Sequence, residues 1–373
     1  MKKALVILLT LAVAGGLFAQ TFTWVGHAEG GFGMLNRGDS DDAVFGAIAP
    51  HAWVNGTRLQ LELNGVNADG NAGFRARFRA NISGTAAGTN QPFIHQAWAW
   101  VNLFDGLLEL RGGRVFDTAL ALQDPIFGSS LFSNQHGFLG YLRPMDILTV
   151  GFGGFVPTAQ DPGTTWEEGG LTLWGGVGVS LAGLMEVRAQ LNHSDLVTNA
   201  QVGVQVTALD FLPINAFVRM HNLQDFGDYG ELFAYAFVGL NLVENLDLNL
   251  GGVFGMSQVD NTDPFMAFGG WLQFTGLGAI VPRLDAWFVS GGEYNFGYGF
   301  NPTGSNIDWV QARWDSDMSY ISIRPALRFR ATPAAWWEVG GLFNIELGDV
   351  GAGGGTSDDT FTWGLFTAVR IGF

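Results

Sequence analysis

The sequence of 373 residues has no cysteine, and its only lysines are Lys2 and Lys3. The absence of cysteine excludes a disulfide framework and the lipid attachment site of a lipoprotein. Charged residues make up only 14% of the chain, against ~25% in ordinary soluble proteins. Beyond the N-terminal segment, no apolar run reaches the ~18 residues that a transmembrane helix requires. A net charge of −16 excludes nucleic-acid binding by electrostatic attraction.

The N-terminal segment has the features of a secretory signal peptide. Lys2 and Lys3 form a short basic region, and the apolar run from Ala4 to Ala14 is broken only by Thr10. Small residues up to Ala19 predict cleavage after that position. We therefore expect a signal peptide at residues 1–19. The remainder, 20–373, is expected to be one domain, because no linker or change of composition divides it.

The remaining chain alternates between apolar and polar residues with a period of two. In the segment from Thr360 to Phe373, odd positions are mostly large and apolar, whereas even positions are mostly small or polar. The same pattern recurs at 57–65, 74–82, 185–192, 321–330 and 337–347. Period-two alternation places the two sets on opposite faces of a strand. An apolar face and a polar face with few charges are typical of a barrel in lipid, where every backbone amide must pair within the sheet.

We therefore predict an all-β fold: a single closed antiparallel transmembrane β-barrel of about 18 strands, within a range of roughly 16 to 20. Short connections alternate with long ones, which indicates short periplasmic turns and long extracellular loops. The predicted strands lie near 22–35, 50–66, 72–82, 92–104, 107–115, 136–143, 146–156, 167–180, 184–193, 199–208, 213–222, 230–242, 246–257, 264–275, 284–294, 319–331, 335–347 and 360–373.

The leader, the alternating strands and the final residues 368–373 (Ala-Val-Arg-Ile-Gly-Phe) resemble those of the bacterial outer-membrane porins. The resemblance implies an outer-membrane location, contact with outer-membrane lipid, and a water-filled channel for passive diffusion of small hydrophilic solutes and ions. It also implies that the barrel-assembly machinery reads Phe373 as its signal, and it leaves a homotrimer open.

One connection matches the resemblance by its position in the strand order. In trimeric porins, the loop between strands five and six folds into the barrel and narrows it. The corresponding connection here, 116–135, contains Asp117, Asp124 and several apolar residues that an exposed loop would not need. The resemblance implies that it is the constriction loop. The connection at 294–317 is at least as long and is the alternative.

Arginines form the sharpest pattern on the predicted polar face. Arg75, Arg77 and Arg79 alternate with Phe74, Ala76 and Phe78. An arginine facing lipid at the bilayer midplane costs ~2–4 kcal/mol, so we expect this face to line the lumen. The same parity places further arginines there: Arg58, Arg111, Arg188, Arg219, Arg324, Arg328, Arg330 and Arg370.

Two readings of these arginines stay open. In the first, they oppose Asp117 and Asp124 across the pore and set its ion preference. In the second, they pair with carboxylates on the wall and hold it rigid; the candidate partners are Glu62, Glu109, Glu186, Glu338 and Glu346.

The function favoured by the sequence is a passive porin, because polar residues lie along the strands as well as in the loops. The alternatives are a surface adhesin or receptor displayed on a barrel anchor, for which Arg37-Gly38-Asp39 is the only motif, and a barrel enzyme. The histidines show no metal-ligand spacing, and we predict no metal, cofactor or enzymatic activity. The tryptophans Trp98, Trp100, Trp336 and Trp337 are assigned to the aromatic belt at the membrane interface rather than to a sugar-stacking platform. Aromatic residues on the polar face leave a sugar-selective channel open: Phe217, Phe233, Tyr235 and Phe366.

Overall fold

The computed structural model describes residues 21–36, 43–48, 57–82, 93–121, 131–132, 135–156, 170–195, 197–258, 264–293, 313–347 and 361–373. Within them, a 3₁₀ turn at Leu223–Asp225 precedes the short helix α1 (Phe226–Tyr229). No helix in these ranges has both the length and the apolarity needed to cross a membrane. The strands are β1 (Thr21–Asn36), β2 (Ala43–Ile48), β3 (Thr57–Val66), β4 (Ala72–Ile82), β5 (Phe93–Leu103), β6 (Leu108–Val115), β7 (Gln135–Met145), β8 (Leu148–Val156), β9 (Thr172–Leu181), β10 (Met185–His193), β11 (Thr198–Val206), β12 (Ile214–His221), β13 (Glu231–Val243), β14 (Leu246–Ser257), β15 (Phe265–Phe274), β16 (Ile280–Glu293), β17 (Arg313–Thr332), β18 (Ala335–Glu346) and β19 (Phe361–Gly372).

The strands form one antiparallel sheet that closes on itself. Consecutive strands pair from β3 to β19, and β19 returns to β1 with Ile371 opposite Ala28. On its other edge, β1 pairs with β3 over residues 21–29 and with β2 over residues 31–36. β2 and β3 therefore share one position, and the described strands make an 18-strand barrel. The predicted all-β class and the strand count are confirmed.

The boundaries of four strands differ from the prediction by four residues or more. The strand expected at 50–66 begins at Thr57 as β3, and the unpredicted β2 lies before that range, with 49–56 outside the described residues. The strand expected from 167 begins at Thr172 as β9. The strand expected from 319 begins at Arg313, and the one expected from 284 begins at Ile280. The latter includes Pro282, which pairs with β17 but has no partner on β15. At such a position the missing N–H of proline costs no hydrogen bond.

Tight turns join the strands at one end of the barrel. Between β5 and β6 the φ angles of Phe104, Asp105 and Gly106 are 55°, 54° and 87°. Between β13 and β14, Asn245 has a φ of 63°. Left-handed conformations of this kind suit Gly and Asn best and reverse the chain within a few residues. We call this side the short-turn end; it is the end that the sequence assigns to the periplasm.

Burial separates the two faces of the sheet. On β10, Val187 and Leu191 are 40% and 46% exposed, whereas Gln190 and Asn192 are 4% and 7% exposed. On β19, Phe361, Leu365, Val369 and Ile371 are all exposed. We call these two sides the apolar face and the polar face. The polar face is the more buried of the two, and side chains on the concave side of a closed sheet crowd one another in this way.

Candidate pore-lining site

Three arginines of β4 project from the polar face toward the acceptors of β3. Arg75 Nη2 and Arg77 Nη2 each lie 2.7 Å from the same oxygen of Glu62, Oε2. Arg79 Nε donates to Gln60 Oε1 at 2.7 Å, and its Nη1 lies 2.8 Å from His95 Nε2. Two guanidinium groups thus share one carboxylate, whereas the guanidinium group of Arg79 contacts an amide oxygen and an imidazole nitrogen.

The closure of the barrel brings two distant arginines to one carboxylate. Glu29 on β1 lies 3.8 Å from Arg58 of β3 and 3.8 Å from Arg370 of β19. The Glu29 side chain is fully buried, and that of Arg58 is 2% exposed. Residues near opposite ends of the sequence therefore meet on the polar face, and the strip of arginines crosses the seam between first and last strand.

A third carboxylate repeats the arrangement near the short-turn end. Glu109 of β6 accepts from Arg111 Nε at 2.6 Å and from Arg143 Nη2 at 3.1 Å. Both guanidinium groups also lie over the ring of Tyr141, at 5.0 Å and 5.5 Å from its centroid. Cation–π contact and ion pairing together hold these arginines against the wall.

On β17 the arginines follow the predicted parity. Arg328 Nε donates to Glu338 Oε2 at 2.6 Å, and its guanidinium lies 4.1 Å from the ring centroid of Trp336. Arg324 is buried on the same face, and Arg330 follows at the same spacing. The bonds that Glu62, Glu109, Glu186 and Glu338 make to arginines match the pairing reading, while the side chain of Glu346 lies outside the described residues.

The described ends of the 116–135 connection pack against the polar face. Asp117 is fully buried; its Oδ1 accepts from the N–H groups of Ala119 and Leu120 at 3.0 and 2.9 Å and from the Tyr141 hydroxyl at 2.7 Å. Its own N–H donates to the carbonyl of Phe132 at 3.0 Å. Asp117 thus joins the two ends of the connection to β7. Asp124 lies outside the described residues.

Leu120 occupies a space that three glycines leave open. A Cβ atom added to Gly151, Gly176 or Gly178 would lie 2.7–2.8 Å from a methyl group of Leu120, closer than van der Waals contact allows. Gln190 of β10 donates to the carbonyl of Leu120 and accepts from the N–H of Leu131 at 3.0 Å. The side chains of Leu120 and Phe132 are fully buried. The described apolar residues of the connection therefore pack against the polar face of the sheet.

An aromatic cluster covers the polar face on the other side of the barrel. Phe217 and Tyr235 stack with ring centroids 4.4 Å apart, and Phe233 lies 6.1 Å from Tyr235. These rings pack with Phe237, Phe265 and Trp287. β4 holds the third position of the 18 and β13 the twelfth, so the two strands lie half-way round the sheet from each other.

The structure corrects the assignment of the tryptophans. Trp337 is 47% exposed on the apolar face, as a belt residue would be. Trp98 and Trp336 are instead buried at 6% and 9%, beside Arg75 and Arg328 respectively, and Trp100 shares the face of Trp98. The period-two pattern already indicated the polar face for Trp98 and Trp100, because they alternate in phase with Gln96 and Asn102.

Sequence reasoning missed two carboxylates and assigned other residues that the structure does not describe. Glu29 and Asp285, which forms a two-pronged pair with Arg283 at 2.7–3.0 Å, were not among the predicted partners. The connection at 294–312 and the Arg37-Gly38-Asp39 motif lie outside the described residues.

No known family model matches the chain, and no curated protein is recognisably similar in sequence. Solved structures do match its fold over nearly the whole length. Pseudomonas aeruginosa OccD3 (OpdP) aligns with a TM-score of 0.58 at 9% identity, covering 95% of this chain and 92% of that one. P. aeruginosa OccK11 (OpdR) gives 0.57 at 11% identity, covering 95% and 97%. A triple mutant of the Rh. blastica porin gives 0.50 at 10% identity, covering 95% and 100%. The chain therefore has the fold of the bacterial outer-membrane porins.

Proposed function

We propose that this protein is a porin-type channel of the bacterial outer membrane, through which small hydrophilic solutes and ions diffuse passively. The supporting observation is the division of the sheet: exposed apolar side chains cover one face, while arginines, carboxylates and amides cover the other. An apolar band of this kind matches lipid, and a polar inner face matches water. A leader at residues 1–19 would direct the chain across the inner membrane.

The polar face is proposed to line the lumen with a net positive strip. In the described part of the chain, nine arginines of this face pair with six carboxylates, and Arg79 donates to Gln60 instead. The arginines are Arg58, Arg75, Arg77, Arg111, Arg143, Arg188, Arg283, Arg328 and Arg370, and the carboxylates are Glu29, Glu62, Glu109, Glu186, Asp285 and Glu338. The pairing reading and the ion-preference reading therefore hold together. The carboxylates fix the guanidinium groups in place, and the excess charge remains to attract anions.

The connection at 116–135 is proposed to narrow the lumen beside this strip. Its support is the burial of Leu120 and Phe132 against the inner face and the bonds from Gln190 and Tyr141. In this proposal Asp117 anchors the connection, and the field across the pore runs from the arginines to acidic groups elsewhere. Outer-membrane lipid, the barrel-assembly machinery acting on Phe373, and a homotrimer are proposed as partners on the strength of the resemblance.

Single-channel recording tests the proposal. The purified protein, reconstituted into planar bilayers, should produce stepwise and persistent ionic conductance. A barrel that serves only as an anchor for an adhesin or receptor would insert without conducting. Heat-modifiable migration in gels, which reports a folded barrel, would separate a silent barrel from an unfolded sample.

A further inference from the structure

A cavity of about 290 Å³ opens on the polar face close to the short-turn end. It lies where β3 to β6 meet the start of the 116–135 connection, and Arg75 and Arg111 approach the ring of Trp98 there at 5.3 and 6.0 Å. Its volume falls just below the ~300–1,000 Å³ of pockets for drug-sized ligands, so it suits a single small ring. Its lining residues are Asn64, Arg75, Trp98, Trp100, Asn102, Glu109, Arg111 and Thr118.

Trp100 provides a flat apolar surface in this cavity. Its indole lies over Gly73, where an added Cβ would come within 2.8 Å of the ring atom Cζ2. The missing side chain of Gly73 therefore lets the indole lie along the wall. Unlike the ring of Trp98, that of Trp100 has no hydrogen bond, ring contact or cation contact within the described residues.

The polar groups of the cavity include both donors and acceptors. Arg111 donates to Thr118 Oγ1 at 2.8 Å and to Glu109 at 2.6 Å, so a carboxylate, a hydroxyl and a guanidinium stand side by side. Among the described residues, Asn102 Oδ1 and Arg75 Nε are buried without a hydrogen-bond partner. Buried polar atoms are seldom left unpaired, and a ligand in the cavity would offer partners to these side chains after small rotations.

We propose that this cavity binds one neutral, polyhydroxylated six-membered ring, a hexopyranose or a cyclic polyol. The proposal rests on the channel function above, of which it would be a solute-binding subsite. A ring of this class presents C–H groups on its face and hydroxyls at its rim. The face would stack on Trp100, while each hydroxyl would both donate and accept among Asn64, Asn102 and the Arg111–Glu109 pair.

The mixed lining is what favours a neutral solute over an anion. A carboxylate ligand needs donors only, and it would meet the charge of Glu109 inside the cavity. Hydroxyl groups use guanidinium donors and carboxylate acceptors together. Arg58, Arg77 and Arg79, whose positive charges would attract an anion, lie outside the lining of the cavity.

Current block in planar bilayers tests this subsite. Glucose is added at rising concentration to single wild-type channels, and glucuronate, which differs only in its oxidised C6, is compared at the same concentrations. We expect saturable block by glucose, about tenfold weaker in Trp100→Ala, the loss expected from one stacking contact. Asn102→Leu, which keeps the side-chain size, should also weaken block. Trp337→Ala, on the apolar face, is the matched control and should block as wild type does.

Each outcome decides between the proposals. Steady conductance without block by glucose would overturn the subsite and leave the channel standing, whereas absent conductance would overturn the channel itself. Block by glucuronate alone would overturn the neutral class. Equal block in Trp100→Ala and wild type would show that stacking on Trp100 contributes nothing. Folding of each variant is checked by heat-modifiable migration, and Asn102→Leu supplies the test if Trp100→Ala fails to fold.

Discussion

The phenol hydroxyl of Tyr141 donates a hydrogen bond of 2.7 Å to Oδ1 of Asp117, which ties β7 to the start of the 116–135 connection. Tyr141→Phe removes this bond from the carboxylate of Asp117. Hydrogen bonds to charged groups contribute ~1.5–3 kcal/mol, so the connection should fluctuate more. We expect noisier open-channel current at unchanged barrel stability. Tyr229→Phe, at an exposed side chain in α1, is the control; equal noise in both variants would contradict the anchoring role.

The glycines around Leu120 give a test within a single strand. Gly178→Ala places a methyl group 2.8 Å from Leu120 Cδ2, whereas Gly175→Ala on the same strand meets nothing closer than 3.8 Å. Gly178→Ala should displace the connection and change conductance, and Gly175→Ala should not. Adding Leu120→Ala to Gly178→Ala restores the space and should bring conductance part of the way back. If both glycine variants conduct like the wild type, the connection does not limit the pore.

The shared carboxylate of β3 predicts opposite effects on ion selectivity. Replacing Arg75, Arg77 and Arg79 together by Gln removes three positive charges and should shift the reversal potential in a salt gradient toward cations. Glu62→Gln removes one negative charge beside two arginines and should shift it toward anions. Both shifts should shrink at high salt, because the Debye length falls from ~10 Å at 0.1 M to ~3 Å at 1 M. Shifts of the same sign in the two variants would refute a lumen-facing strip.

Glu29 should matter for stability more than other carboxylates of the wall. Glu29→Gln removes a negative charge 3.8 Å from the buried guanidinium of Arg58, and breaking a buried pair typically costs ~3–5 kcal/mol. The matched control is Glu186→Gln, because the Glu186 side chain is 34% exposed. We expect the temperature of heat-modifiable unfolding to fall clearly for Glu29→Gln and little for Glu186→Gln. Equal temperatures would mean that water already screens the Glu29 pair.

The C-terminal residue makes contacts that a truncation would remove. Phe373 exchanges two backbone hydrogen bonds with Gly26, at 2.8 and 2.9 Å, and its ring lies 5.7 Å from that of Trp24. Deleting Phe373 should lower insertion into the outer membrane while export continues. Phe361→Ala, at the other end of β19, is the control. Fractionation of cells should show the truncated chain accumulating outside the inner membrane; insertion at the wild-type level would argue against a targeting role.

The strands could be predicted because period two is a local property of the sequence. The parity of Arg75, Arg77 and Arg79 required only neighbouring residues, and the structure places all three on the polar face beside Glu62. The belt assignment of Trp98 and Trp100 was wrong because it relied on the preference of tryptophan for membrane interfaces and not on the parity of the two positions in β5. Tryptophan suits a membrane interface, but in phase with Gln96 and Asn102 it lies on the polar face.

The contacts of Glu29 and Leu120 could not be predicted from the sequence, for a different reason. The partners of Glu29 lie on β3 and on β19, and the latter contact requires the exact register between the two ends of the sheet. The contact of Leu120 with Gly176 and Gly178 depends on how a connection folds back across four strands. Neither the register between distant strands nor the path of a connection leaves a periodic pattern in a single sequence.

Because Ala28 pairs with Ile371, β1 and β19 are neighbours and neither is an edge strand of the described sheet. Thr21, where the described part of β1 begins, and Phe373 lie at the same short-turn rim, so a linker could join these two residues and new ends could be opened at another turn, such as 67–71 or 104–107. During folding, however, the seam forms only when the whole chain is present, since its partners are separated by nearly the full sequence. Until then Glu29 lacks Arg370, and the sheet carries two open edges. Closure of the seam therefore brings Arg370 to Glu29 and removes both open edges from lipid in one event.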